Sequence, residues 1–396
     1  MTRVIHRPAN SGAELPPQPS LPSGGWARPL QILFLDSWLP ASHEGSGTAV
    51  GIRTLAEGLR ALGHSVETLR PRQGGGTLLG RARFNLSLPR QLGVEKQPDL
   101  VVGFDVDGLF WGNSSRRRSP YVLALKGIAA DEARYSQSAG EKLLLSTLAR
   151  WEKTNAEGAE LILVPSFYSA GVAQREYGCP RHRIRVVPEP IDLSLWEPPH
   201  AHHPLPDRPT ILSVARQYPR KDTATLLQAA ERLRRAVPDL HLRIIGGGPE
   251  LPRLLALSSE LGLEDTVTFH GALPEDREVR TAFREAHLFA LPSLQEGFGI
   301  VFLEAMAAGL PVVAARAGAA PEVISEGETG LLVPPGDPAR LAAALLRLLH
   351  NPEEGARMGE AGKARVLRYG SEATALAFLA AVAPILKDSI ARSLNP

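Results

Sequence analysis

Two carboxylates, Glu296 and Glu304, stand with seven residues between them in the stretch "SLQEGFGIVFLEAMAAGLPVV" (293–313). Gly297, Phe298 and Gly299 follow the first, and an apolar helical run surrounds the second. A Gly-x-Gly turn opening a helix leaves free N–H groups and a partial positive charge at its start, a natural seat for phosphate. Glycines there let the backbone approach the ligand closely. Glu304, a turn or more into the helix, is placed to reach hydroxyls beside that phosphate. Glu296, before the turn, points at whatever the phosphate carries. A phosphate between two hydroxyl-bearing groups describes a nucleotide-sugar. The plain structural alternative is that the acids favour a helix start and the glycines only turn the chain.

The surroundings weigh against that alternative. The run "TILSVA" (210–215) ends in "RQYPRKD", so Arg216 and Lys221 fall at the carboxyl end of a predicted strand. Two cations there can neutralise the diphosphate that is released when a sugar–phosphate bond breaks. Arg220 between them reads as solvated surface charge. Far upstream, "LDSWLPASHEGSGTAVG" sets Gly45 and Gly47 in an equivalent loop before a helix, a second phosphate contact if it faces the first. "GGGPE" (246–250) reads as a tight turn with a structural role.

What must position these residues is an alternation of apolar runs and amphipathic helices. "QILFLD" (31–36), "DLVVGF" (99–104), "YVLAL" (121–125), "ELILVPS" (160–166) and "IRVVPE" (184–189) predict buried strands. Between the first two, Leu55, Leu59 and Leu62 lie at helical spacing, with Gly63 as a C-cap. The clustered Pro and His of 195–209 read as a linker. Strands then resume at 210–215, 242–248, 267–271, 287–293 and 311–315, with helices near 222–236 and from Gly299 to 308. Such alternation predicts α/β architecture: two doubly wound, Rossmann-like domains facing a cleft, with ligands beyond the carboxyl ends of the strands. The expected boundaries are a disordered tail over 1–28, a first domain over 29–194, a second over 210–371 and a terminal segment over 372–396.

A chain of 396 residues is longer than one core usually covers, which fits two domains. Its 43% hydrophobic and 22% charged residues are those of a globular protein, and a net charge of +2 argues against a nucleic-acid footprint. Lone Cys179 can form no internal disulfide, and no apolar run reaches membrane-span length, so a cytoplasmic location is expected.

Together, "SVARQYPRKD", "LRIIGGGPE", "VTFHGALP", "ALPSLQEGFGIVFLEAMAAGLPVVAARAGAAPEVI" and "GETGLLVPPGD" resemble the family 4 glycosyltransferases, of GT-B fold. "LVPSFYSAGV" and "RVVPEPIDLSLWEP" extend the resemblance into the first domain. It implies a nucleotide-diphosphate sugar as co-substrate with no further cofactor, retention of anomeric configuration, and a last helix near 372–390 crossing back to the first domain. It further implies that Glu304 holds ribose hydroxyls, Glu296 the donor sugar, the backbone at Phe298 and Gly299 sugar and phosphate, and Arg216, Lys221 and Gly45 the diphosphate. Leu273 would lie near the base. Two positions depart from the pattern: Lys126 where the family commonly has a sugar-facing His, and Glu189 where it has a small or amide residue. Lys126 either points into the cleft, or faces solvent or pairs with a nearby acid such as Asp131.

Weaker signals are set aside. "DVD" (105–107) matches a metal-binding Asp-x-Asp of another glycosyltransferase fold but lacks its context, so no metal site is expected. "HAHH" (200–203) lacks a third ligand at sensible spacing. The three cations Arg116, Arg117 and Arg118 read as a solvated loop that could touch an anionic membrane or lipid acceptor. Alternatives to transfer are a nucleotide-sugar epimerase and a non-catalytic nucleotide-sugar-binding scaffold. The sugar, base and acceptor, whether saccharide, lipid or small molecule, are not specified by these residues.

Overall fold

The computed structural model describes residues 28–38, 47–71, 77–92, 98–115, 117–196 and 207–394, with side chains to 386. The expected tail up to residue 27, the linker histidines and Gly45 lie outside the described residues. In the first lobe, β1 (Gln31–Leu35), β2 (Ser65–Leu69), β3 (Leu100–Phe104), β4 (Tyr121–Ala124), β5 (Leu161–Val164) and β6 (Ile184–Val186) form one parallel sheet. Its helices are α1 (Gly47–Ala61), α2 (Leu78–Gln91), α3 (Leu109–Gly112), α4 (Ala129–Glu132), α5 (Ala139–Gly158) and α6 (Phe167–Tyr177). The second lobe repeats the plan with β7 (Thr210–Val214), β8 (His241–Ile245), β9 (Val267–Gly271), β10 (Leu288–Leu291), β11 (Val312–Ala315) and β12 (Gly330–Val333). Helices α7 (Thr223–Leu233), α8 (Leu251–Glu260), α9 (Asp276–Arg284), α10 (Ile300–Ala307), α11 (Ala320–Val323), α12 (Pro338–His350) and α13 (Pro352–Val366) flank it. The last helix is α14 (Ser371–Leu394).

The strand orders are β2-β1-β3-β4-β5-β6 and β12-β11-β10-β7-β8-β9. Each order reverses direction once, between β1 and β3 and between β7 and β10, and the crevice at such a reversal is where open parallel sheets bind ligands. Central strands are buried on both faces, as β3, β4, β5, β10 and β11 are throughout their lengths. That is why they read as continuous apolar runs.

Each sheet carries a hydrophobic core on each face. The crossing-back of the terminal helix is present. Phe378, Leu379, Val382 and Leu386 of α14 share a core with Ile52, Leu55 and Leu59 of α1. The two helices come so close at Gly58 that an added Cβ would lie 2.3 Å from the Ser371 carbonyl. No helix among the described residues is long and apolar enough to cross a membrane.

A candidate active site between the lobes

The loop after β10 and the loop after β7 meet at the reversal point of the second sheet. Leu294 N–H donates to the Arg220 carbonyl at 2.8 Å, tying the two loops by their backbones. Lys221 Nζ then lies 2.5 Å from Glu296 Oε1, and Ser293 Oγ donates to the same oxygen at 2.8 Å. Burial works to raise the Glu296 carboxyl. Lys221, Arg220 and the hydrogen bonds from Lys221 and Ser293 outweigh it and hold the group below the ordinary carboxylate range. Burial pushes the Lys221 ammonium down, with Glu296 opposing. Two cations, Lys221 in contact and Arg220 nearby, thus attend one buried carboxylate.

Gly299 begins α10 with φ +91, a left-handed conformation in which a side chain would be strained. A Cβ there would lie 2.5 Å from the Phe302 ring. Phe298 turns inward against Tyr369, with ring centroids 5.8 Å apart, so only its backbone is free for a ligand. Glu304 sits on α10, its carboxylate making no hydrogen bond or ion pair with any described residue. Its carboxyl is pushed up to about 7 by burial and by Asp276, with Arg280 opposing. An acid held near neutrality with unused acceptor oxygens is ready to accept hydroxyl donors.

Arg216 is exposed, its guanidinium 5.3 Å from the Tyr218 ring. The glycines of "GGGPE" serve packing, as expected. Cβ atoms on Gly246 and Gly248 would strike the Ala215 carbonyl at 1.9 Å and the Gln217 backbone at 2.6 Å, so they let β8's loop seat the Arg216 loop. Leu273 packs half-buried against the core that contains α10.

The first lobe brings its own helix start to the same place. Gly47 opens α1, and a Cβ on it would lie 3.2 Å from Ile300 Cδ1, on the first residue of α10. Two helix N-termini therefore converge, each a seat for negative charge. Lys126, after β4, neither faces solvent nor pairs with Asp131. Its Nζ lies 2.7 Å from Glu189 Oε2, with side chains 8% and 6% exposed. The two departures from the family pattern are thus partners.

Arg220 corrects the expectation of a solvated charge. It is 17% exposed and pairs across the lobes with Glu132 of α4 at 3.1 Å. Further contacts cross there. Gln295 Nε2 donates to Asp131 at 3.0 Å, and Ser166 Oγ and Ser169 Oγ donate to the Gly297 carbonyl at 2.6 and 3.0 Å. Glu322 accepts from Phe167 N–H and Tyr168 N–H at 2.8 and 2.7 Å, an anion on the start of α6. Sequence reading passed over all of these, because a short polar side chain gives no local sign of a partner a hundred residues away.

The Asp-x-Asp carboxylates are spent within the first lobe. Asp105 accepts from Trp38 Nε1 at 2.9 Å and from Lys126 N–H at 2.7 Å. Asp107 accepts from Ser37 N–H and Oγ, both at 2.7 Å. Burial raises Asp105 to about 6 and Asp107 to about 7. No group of three or more metal-ligating side chains occurs among the described residues. In the basic run, Arg117 is not a free surface cation: it pairs with Glu160 at 2.8 Å and donates to the Gly158 carbonyl.

Two facing Rossmann-like lobes with this crevice define a GT-B glycosyltransferase fold. A family model described as Glycosyltransferase Family 4 matches residues 45–195, and one described as Glycosyl transferases group 1 matches 198–365. The chain belongs to the family 4 type of glycosyltransferases. It is 36% identical over 219 residues to a GDP-mannose-dependent alpha-(1-6)-phosphatidylinositol monomannoside mannosyltransferase of Mycolicibacterium smegmatis, covering 52% of this chain and 57% of that one. It is 35% identical over 272 residues to a D-inositol 3-phosphate glycosyltransferase of Nocardia farcinica, covering 63% and 58%. The chain thus matches little more than half the length of these relatives. A sucrose-phosphate synthase structure from Thermosynechococcus elongatus superposes with a TM-score of 0.75 at 25% identity, over 92% of this chain and 100% of that one.

Proposed function

We propose that this protein transfers a sugar from a nucleoside-diphosphate donor to a hydroxyl acceptor with retention of anomeric configuration. One observation carries the reading: Glu296 and Glu304 flank the start of α10, with Lys221 on Glu296 and the start of α1 opposite. Glu304 would take the ribose hydroxyls and Glu296 the sugar. Arg216, Lys221 and the two helix starts would take the diphosphate, with Gly45 as a further backbone contact.

In the reaction the acceptor oxygen bonds to the anomeric carbon on the face that the phosphate leaves. The bond from that carbon to the β-phosphate oxygen breaks, and the acceptor proton passes to the departing phosphate. No side chain has to act as a strong base. The site's contribution is positive charge already in place where negative charge develops. Lys221 would be released from Glu296 toward the diphosphate as the sugar takes up the carboxylate.

The names of the mannosyltransferase and inositol-phosphate relatives make GDP-mannose the first donor to try, with inositol phosphate and phosphatidylinositol glycolipids as acceptors. The test is incubation of the full chain with GDP-mannose and UDP-glucose against those acceptors, following product by mass and anomeric configuration by NMR. An α-linked product supports the reading. An inverted linkage overturns retention, and epimerised donor without transfer overturns transfer itself.

A further inference from the structure

Lys126 and Glu189 are buried together at the junction of the three segments that meet the donor. Glu189 Oε2 lies 2.6 Å from where a Cβ on Gly51 of α1 would stand, and that same Cβ would be 3.6 Å from Ile300 Cδ1 of α10. The Lys126 carbonyl lies 3.6 Å from a Cβ built on Gly297. The pair therefore sits beside both helix starts and the Glu296 loop, where the sugar joins the phosphate in the proposed reading.

The charges around it settle how it can act. A lone ammonium at this place would attract an acidic sugar. Here the ammonium is matched at 2.7 Å by a carboxylate as buried as itself. Near it also stand the Phe104 ring, with the centroid 5.6 Å away, and Asp105, which binds the Lys126 backbone N–H and adds negative charge. An ammonium has three donor hydrogens and Glu189 uses one, while the carboxylate keeps free lone pairs. Such a pair offers donors and acceptors to neutral hydroxyls and no net attraction for a second carboxylate.

We infer that the Lys126–Glu189 pair is a specificity device that selects a neutral, hydroxyl-bearing donor sugar and rejects a uronic acid. Glu189 acts as the residue that cancels Lys126. The inference rests on the nucleotide-sugar reading of the site and names its sugar class.

The test is titration calorimetry with UDP, GDP and ADP alone, then with matched pairs: UDP-glucose against UDP-glucuronate, and GDP-mannose against GDP-mannuronate. Wild-type protein should bind the neutral member of the pair on its preferred base at least tenfold more tightly than the acidic one. Glu189→Gln keeps shape and one acceptor oxygen but unmasks the ammonium. It should erase or invert that preference while affinity for the bare nucleotide stays within about threefold. Should Glu189→Gln fold poorly, Lys126→Met/Glu189→Gln supplies the check. With neither charge present, it should bind the neutral and acidic members of the pair within about threefold of each other, and a preference as large as that of wild type overturns the inference. A wild-type preference for the uronate, or a preference unmoved by Glu189→Gln, overturns this inference alone. No binding of any of the three nucleotides overturns the donor reading and this inference with it.

Discussion

Glu304→Gln should make the empty protein more stable above neutral pH and worse at binding its donor. The carboxyl rests at about 7 in the fold against an ordinary 4.5, because burial and Asp276 disfavour its charge more than Arg280 favours it. A group whose folded pKa is raised favours the fold fully below its unfolded pKa. The stability it confers is lost as pH rises through the folded one. Across roughly 4.5 to 7 the unfolded chain ionises Glu304 while the fold resists. At about 1.4 kcal/mol per pH unit the ceiling is about 3 kcal/mol. Partial access to the cleft reduces that to about 1–3 kcal/mol. Gln has no such cost. The variant should match wild type near pH 4.5 and exceed it by that amount at pH 8, a rise of several degrees in melting temperature. The donor pays the opposite sign: hydrogen bonds to a charged acceptor are worth about 1.5–3 kcal/mol, so affinity for UDP or GDP should fall roughly ten- to a hundredfold or more. Calorimetric melting at the two pH values and nucleotide titration at pH 8 measure both. No stability gain at pH 8 refutes the buried-charge argument. Undiminished affinity in the folded variant refutes the ribose assignment.

Lys126→Met leaves Glu189 buried without its cation, which should destabilise the fold by about 3–5 kcal/mol at pH 8, and the double variant with Glu189→Gln should recover most of it in a thermal melt. Glu132→Gln breaks the ion pair that joins the lobes at Arg220; turnover should drop at least tenfold while UDP or GDP affinity changes less than threefold, and equal effects on both would assign Arg220 to the phosphate instead. Transfer should survive thorough chelation; complete loss in EDTA, restored by manganese or magnesium, would return Asp105 and Asp107 to the reaction.

Legibility followed the range of the interaction. Nearly every strand buried on both faces was readable, since an uninterrupted apolar run is a local property. The two strands missed, β2 and β12, are the outer edges of their sheets. In "SVETL" only Val66 is buried, so no continuous run exists to find, and "GLLV" is four residues opened by a glycine. The same division runs through the site. Glu296, Gly299 and Glu304 were legible because one turn and one helix position them, and Lys221 because it follows a readable strand. Lys126 and Glu189 each stood out as a departure, yet their pairing could not be read, since β4 and the segment after β6 come together only in the folded sheet. Arg220 was misjudged for the same reason: its acid lies on α4, in the other lobe. Residues that hold the two lobes together are therefore the ones a single sequence conceals. In the proposed reading they are also the ones that would decide whether Glu296 and the first lobe's helix start meet the donor at once.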